Sequence, residues 1–288
     1  MSETVDTKKR FDKKNFLKRL MSAVVLVLLF GSAGILGGWY WYGLVALISL
    51  LGLFEFYRVY EIHKNVLGFL GYAASISFLV FEALGRTQLQ IVSLVIGFML
   101  IMTAYVFTYP RNSSTKAMAA AFGPVYIVVM LSYMYRIRIM ADGLYLVWLI
   151  FAASWGTDVF AYVFGILFGK RKLAPELSPK KSVAGAVGGV LGAAGLGAVY
   201  ALIFGRYFSE VQSPVLACAV LSGAAGLISM TGDLLASAFK REHHVKDYSN
   251  LIPGHGGILD RFDSVIFVSP VIFYIVYFLP GLRSICRK

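Results

Sequence analysis

The sequence predicts an all-α, polytopic membrane protein. Three observations carry that expectation. Of the 288 residues, 58% are hydrophobic and only 15% are charged, against about 25% charged in an ordinary soluble domain. Mean hydropathy is +0.73. Apolar runs long enough to cross a bilayer, ~20 residues each, recur in nine places.

A basic tail comes first, Met1–Arg19, with Phe11, Phe16 and Leu17 between its charges. It either orients the chain or lies on anionic lipid. A basic start followed by an apolar run also resembles a signal peptide. Further spans follow at once, so the first run reads as an uncleaved helix. Spans are expected near 20–37, 39–57, 66–84, 89–108, 117–135, 143–168, 183–204, 214–239 and 264–280. Only Gly37 and Gly38 separate the first two, so a helical hairpin and a re-entrant unit both fit. Span 183–204 carries Gly185, Gly188, Gly189 and Gly192. Their four-residue spacing lets helices approach closely. No internal repeat or soluble domain is visible. The expected organisation is a tail (1–19), N-terminal transmembrane helices (20–141) and a C-terminal catalytic region (142–288).

Lys and Arg set the expected orientation. With the N-terminus inside, the cytoplasmic segments hold 20 of the 27 Lys and Arg residues and the other side holds seven. That bias places the N-terminus and the 169–182 and 240–262 loops in the cytoplasm. The net charge of +12 is thereby explained without a nucleic-acid partner. Cys218 and Cys286 are far apart and suggest neither a disulfide framework nor a Cys-based metal site.

Charge concentrates late in the chain. Five of the fifteen acidic residues fall between Asp233 and Asp263: those two with Glu242, Asp247 and Asp260. A carboxylate at bilayer depth costs ~2.5–3.5 kcal/mol on insertion scales, so it usually has a partner or a task. Asp233 precedes Lys240 by seven residues, so the two can share a helix face. Asp260 and Asp263 are three apart and can do the same at a helix start. Carboxylate oxygens without Cys suit Mg²⁺. Lys240, Arg241, Lys246 and Arg261 can bind phosphates, and the glycine-rich turn 253–257, with His255, Gly256 and Gly257, lets backbone approach a ligand. Asp158 lies about eleven residues inside its helix, roughly 16 Å deep. Lys180 and Lys181 precede a helix N-terminus, where anions are favoured. Glu55 and Glu82 read as snorkelling residues near helix ends. His243 and His244 read as surface residues, lacking the spacing of a zinc site. Neither a P-loop nor a Ser-His-Asp arrangement is present.

Between Ser237 and Asp263 the chain reads Ser-x-x-Lys-Arg, then Lys246-Asp247-x-Ser249, then Ile252-Pro253-x-His255-Gly256-Gly257-Ile258-x-Asp260-Arg261-Phe262-Asp263. This run resembles the signature of the phosphatidate cytidylyltransferase (CDP-diacylglycerol synthase) family. Upstream, Asp158-x-x-Ala161-Tyr162, Leu173-Ala174-Pro175 and Ser178-Pro179-Lys180-Lys181 resemble it too. One departure stands out: the family usually has a Glu where this chain has Ala184, so no role is carried onto that position.

The resemblance implies transfer of the cytidylyl group of CTP to phosphatidic acid, with Mg²⁺ and release of pyrophosphate. A second cation stays open. On this view Asp233, Asp247, Asp260 and Asp263 hold metal, and Lys240, Arg241 and Lys246 work with them in catalysis. Ser178, Lys180, Lys181, Ser237, His255, Gly256, Gly257, Arg261 and Asp158 bind substrate. The implied setting is a bacterial-type inner membrane, with the bilayer and a homodimer as further partners. Two alternatives carry different products: a CTP-dependent polyprenol kinase would make a lipid phosphate and CDP, and a transporter would show flux without nucleotide turnover.

Overall fold

The computed structural model describes residues 13–208, 213–252, 254 and 256–278. It is a helical bundle, as the sequence predicts. The long helices are α1 (Lys13–Leu36), α2 (Gly38–Val59), α3 (Val66–Ala83) and α4 (Thr87–Thr108). A fifth segment joins α5 (Ser114–Gly123), a π-helical stretch (Pro124–Val129) and α6 (Met130–Arg138). Then come α7 (Gly143–Phe168), α8 (Val183–Phe204), α9 (Pro214–Glu242) and α10 (Leu259–Phe278). Eight of these segments are long and apolar enough to cross a membrane, and Val24–Leu36 of α1 adds a shorter apolar stretch. α1 starts inside the basic tail, at Lys13.

The helix junctions follow local chemistry. Asn65 caps α3 by accepting from the Leu67 amide, and Ser113 caps α5 by accepting from Lys116. Pro124 removes one amide donor, and the chain widens to a π turn there. The glycines of α8 do what their spacing predicts. A Cβ on Gly185 would sit 2.6 Å from the Ala161 carbonyl, and one on Gly189 would sit 2.9 Å from that of Thr157. Gly188 and Gly192 lie under Phe164 and Phe160. Side chains that small allow α7 and α8 to pack backbone to backbone, which matters in lipid, where water does not drive helices together.

An aromatic cluster ties the two halves of the bundle together. Phe239 of α9 packs on Phe56 of α2 (5.7 Å), Phe122 of α5 (6.1 Å) and Tyr126 (5.9 Å). Its neighbour in sequence is Lys240, so this cluster fixes the base of the charged segment.

The sequence reading needs three corrections here. Between α7 and α8 lies a short antiparallel hairpin, β1 (Lys172–Ala174) with β2 (Ser178–Ser182), where only a loop is expected. The last span begins at Leu259 rather than 264. α9 continues to Glu242 rather than 239, which puts Lys240 and Arg241 in its final turn, where cations meet the negative end of the helix dipole.

Candidate active site

Two carboxylates hold the loop that joins α9 to α10. Asp260 lies in the first turn of α10. Its Oδ2 accepts from the amides of Tyr248 (2.8 Å) and Gly257 (3.0 Å), and its Oδ1 accepts from Lys240 Nζ (2.7 Å). Glu55 reaches in from α2. Its Oε1 accepts from Ser249 Oγ (2.5 Å) and the Ile258 amide (2.9 Å), and its Oε2 accepts from the Leu259 amide (2.7 Å). Free amides at a helix start need such acceptors. Glu55 is 1% exposed, so it is a buried cap and not a snorkelling residue. A Cβ on Gly257 would lie 2.6 Å from the Glu55 carboxylate, and Gly256 has φ +86°. Both glycines therefore have local reasons to be glycine.

The loop is further anchored by Tyr248. Its ring carries Lys240 Nζ at 5.4 Å, and its hydroxyl donates to the Ala236 carbonyl (3.3 Å). Burial pushes the Tyr248 hydroxyl pKa up from its ordinary value, so it stays a neutral donor near neutral pH.

A second group of carboxylates gathers between the helices. Gly232 lets α9 meet α10 closely: a Cβ there would lie 2.6 Å from the Asp263 carbonyl. Asp233, the next residue, pairs with Lys181 of the hairpin. Asp263 is 8% exposed and accepts from the Ser264 amide (2.8 Å). It lies within electrostatic reach of Asp233, Lys240 and Asp158. Asp158 of α7 lies within reach of Asp233, Lys181 and Arg261. Arg261 is also tied to α7 by its backbone, whose carbonyl accepts from Trp155 Nε1 (3.4 Å).

Asp158, Lys181 and Asp233 of this group line a cavity of about 220 Å³, together with Tyr162, Leu173, Lys180 and others. Its lining is of two kinds: Asp158, Asp233, Lys180 and Lys181 are charged, and Ala161, Tyr162, Leu173, Ala186 and Met230 are largely apolar. Tyr162 is 71% exposed, so the lining reaches the surface of the bundle.

The structure brings the predicted residues together in pairings the sequence does not anticipate. Lys240 meets Asp260, not Asp233, and Asp233 meets Lys181. Asp260 and Asp263 belong to different environments despite their three-residue spacing. The hairpin follows the end of α7 and the α9–α10 connection follows the end of α9, at the same end of the bundle. Lys180, Arg241, Lys246 and Asp247 are exposed there, and among the described residues none of them forms an ion pair. Ser178 and Ser237 are half-buried on β2 and α9. His255 lies outside the described residues. Two other expectations change: His243 packs its ring on Tyr60 at 4.2 Å, and Glu82 is a buried partner of Arg136 (2.8 Å). Glu55 is the site residue that sequence reasoning misses. Its one signal is a carboxylate in an apolar helix, and the partners that explain it lie about 200 residues away.

The donor set suits a hard cation. Among the described residues no three His, Cys, Asp or Glu side chains form a ready cage. Mg²⁺ needs none, because one or two carboxylates, waters and substrate phosphates suffice. Asp233 and Asp263 can supply the carboxylates, and Asp233 already accepts a cation, the Lys181 ammonium. Asp260 is less free, because three donors occupy its oxygens.

Comparison with known proteins identifies the family. A family model described as the cytidylyltransferase family matches residues 17–279. A phosphatidate cytidylyltransferase of Staphylococcus saprophyticus is 30% identical over 262 residues, 88% of this chain and 96% of the relative. That of Bacillus subtilis is 32% identical over 203 residues, 68% of this chain and 71% of the relative. That of Haemophilus influenzae is 39% identical over 144 residues, 48% of this chain and 47% of the relative. With the matched family model spanning residues 17–279, this chain belongs to the cytidylyltransferase family of membrane nucleotidyltransferases.

Proposed function

We propose that the chain transfers the cytidylyl group of CTP to phosphatidic acid, giving CDP-diacylglycerol and pyrophosphate. The observation that carries this reading is the mixed charged and apolar lining of the cavity. A lipid phosphate needs cations and an apolar flank in one place, and Lys180, Lys181, Tyr162 and Leu173 offer both.

In this reading a phosphate oxygen of the lipid attacks the α-phosphorus of CTP. The bond from that phosphorus to the bridging oxygen of the β-phosphate breaks, and pyrophosphate leaves with the electron pair. The attacking group is largely a dianion near neutral pH, its second pKa being ~6. No side chain has to remove a proton, which fits a site without an obvious general base. The work is to bring polyanions together and to neutralise charge on the leaving group.

The residues divide accordingly. Ser178, Lys180 and Lys181 hold the lipid phosphate. Ser237, Lys240, Arg241, Lys246 and Arg261 hold the triphosphate, with Lys240 aimed by Asp260. Asp233 and Asp263 hold Mg²⁺, Asp247 contributes from the exposed rim, and Asp158 sets the charge of the cavity wall. When bound by those carboxylates, Mg²⁺ would supply positive charge to the phosphate oxygens and the departing pyrophosphate. The site faces the cytoplasm of a bacterial-type inner membrane, a placement supported by the 20-to-7 split of Lys and Arg.

The test is a reconstituted assay with phosphatidic acid, Mg²⁺ and each of the four nucleoside triphosphates. Pyrophosphate release with CTP alone, and a CDP-lipid product, are expected. No release with any triphosphate, or formation of CDP in place of pyrophosphate, overturns the reading.

A further inference from the structure

We infer that Glu55, on α2, is a positioning residue for the reaction, acting across the bundle through the start of α10. The inference rests on the cytidylyl-transfer reading of the site. Glu55 is the anchor that α2 lends to the charged loop. It accepts from three donors, Ser249 Oγ and the amides of Ile258 and Leu259, at 2.5, 2.9 and 2.7 Å. Those amides open the helix on which Asp260, Arg261 and Asp263 stand. Asp260 takes the amides of Tyr248 and Gly257 from the other side. The two carboxylates therefore share five donors between Tyr248 and Leu259, and they set where α10 begins.

This arrangement has a chemical consequence. The amide groups at the N-terminus of α10 would ordinarily form an anion site. Here the amides of Gly257, Ile258 and Leu259 are spent on protein carboxylates. The helix start serves to aim side chains, and substrate phosphates are left to the lysines and arginines. Asp263 follows Leu259 by one helical turn, so a shift of the first turn moves it against Asp233 on α9. Displacing reacting groups by ~1 Å can cost about a hundredfold in rate. The close fit of Gly257 against Glu55, 2.6 Å for a Cβ, leaves no room for the loop to slide toward α2.

Glu55→Gln tests this with little change of shape. All three contacts are donors, so the amide nitrogen of Gln necessarily faces at least one of them and repels it. The full-length variant is purified in detergent and reconstituted beside wild type and Glu61→Gln. Glu61 is an exposed residue paired with Lys116 (3.4 Å) and serves as the control. Two readouts are taken: kcat, both KM values and the half-saturating Mg²⁺ concentration per folded enzyme, and hydrogen exchange of the amides from Tyr248 to Leu259 without substrate. The expected result for Glu55→Gln is a kcat lower by ~10- to 100-fold, a raised Mg²⁺ requirement, a largely unchanged KM for phosphatidic acid, and faster exchange confined to that loop. Glu61→Gln matches wild type.

Wild-type kinetics and Mg²⁺ dependence in Glu55→Gln, even with lower thermal stability, overturn the inference and leave Glu55 a fold residue. If Glu55→Gln does not fold, Ser249→Ala decides: it removes one of the three donors, and a smaller shift of kcat and Mg²⁺ dependence in the same direction supports the inference, while none overturns it. Absence of CTP-dependent turnover in wild type would instead sink the proposed reaction. The exchange measurement would then still decide whether Glu55 holds the loop.

Discussion

Two sets of carboxylates sit within a few turns of one another, and their partners differ in kind. Glu55 and Asp260 are saturated: between them they accept from four backbone amides, one hydroxyl and one lysine. Asp158, Asp233 and Asp263 lie within one another's fields with Lys181 and Arg261 nearby. A saturated carboxylate has little left to offer a substrate. A cluster of like charges at the end of apolar helices has a large unmet demand for positive charge. The first set reads as architecture and the second as chemistry.

The sharpest way to break that division is to neutralise the second set. Asp233→Asn and Asp263→Asn, made separately, keep shape and remove one negative charge each. Each is expected to lower kcat by at least ~10²- to 10³-fold, the usual cost of losing one electrostatic contact to the reacting groups. Thermal stability should hold or rise for Asp263→Asn, because repulsion among like charges is relieved, whereas Asp233→Asn also removes the ion-pair partner of Lys181. Near-normal rates in both, measured as pyrophosphate release, would remove the metal assignment and with it the distinction between the two sets.

Asp260→Asn probes the architectural set and should give a smaller kinetic effect with a larger structural one. Its oxygen can keep the Tyr248 and Gly257 amides, but its new amide nitrogen faces the Lys240 ammonium. Breaking a buried ion pair costs about 3 kcal/mol or more, and these side chains are 12% and 3% exposed. A marked fall in melting temperature is expected, with kcat down by ~10-fold as Lys240 loses its direction. A rate as low as that of Asp233→Asn, in protein of normal stability, would move Asp260 into the chemical set.

The same division explains what the sequence could convey. Helices in lipid announce themselves, since every span must satisfy its own backbone and present an apolar surface. The signature from Ser237 to Asp263 is likewise local, a single stretch of charge between two apolar spans. Pairings are not local. Lys240 could meet Asp233 on its own helix or Asp260 after the loop, and spacing alone favours the former. The latter occurs because the Tyr248–Gly257 loop folds back under two carboxylates. Glu55 is the extreme case: nothing around it in α2 hints at three donors roughly 200 residues away. The hairpin is hard to read from sequence for a related reason. Lys172–Ala174 is only three residues long and Ser178–Ser182 is polar and contains Pro179, and their pairing positions Lys181 on Asp233 rather than building a core.

The far end of the bundle supplies the smallest expected effect on turnover, and for that reason a strict control on the comparison. There Arg136 of α6 pairs with Glu82 of α3 (2.8 Å) and donates to Gln90 of α4 (2.9 Å). Glu82 is 7% exposed, so this too is a buried, charged anchor between helices, resembling Glu55 in burial and in reach. It differs in what it holds. Its partners join α3, α4 and α6 at the end away from the cavity, where no amide of the α9–α10 connection is involved. Arg136→Met should therefore destabilise the fold by about 3 kcal/mol, leaving a buried carboxylate unpaired, while kcat, both KM values and the Mg²⁺ requirement stay within about twofold. A kinetic defect as large as that of Glu55→Gln would mean that any loosening of the bundle disables the site, and burial alone, not the particular donors that Glu55 holds, would then account for both residues.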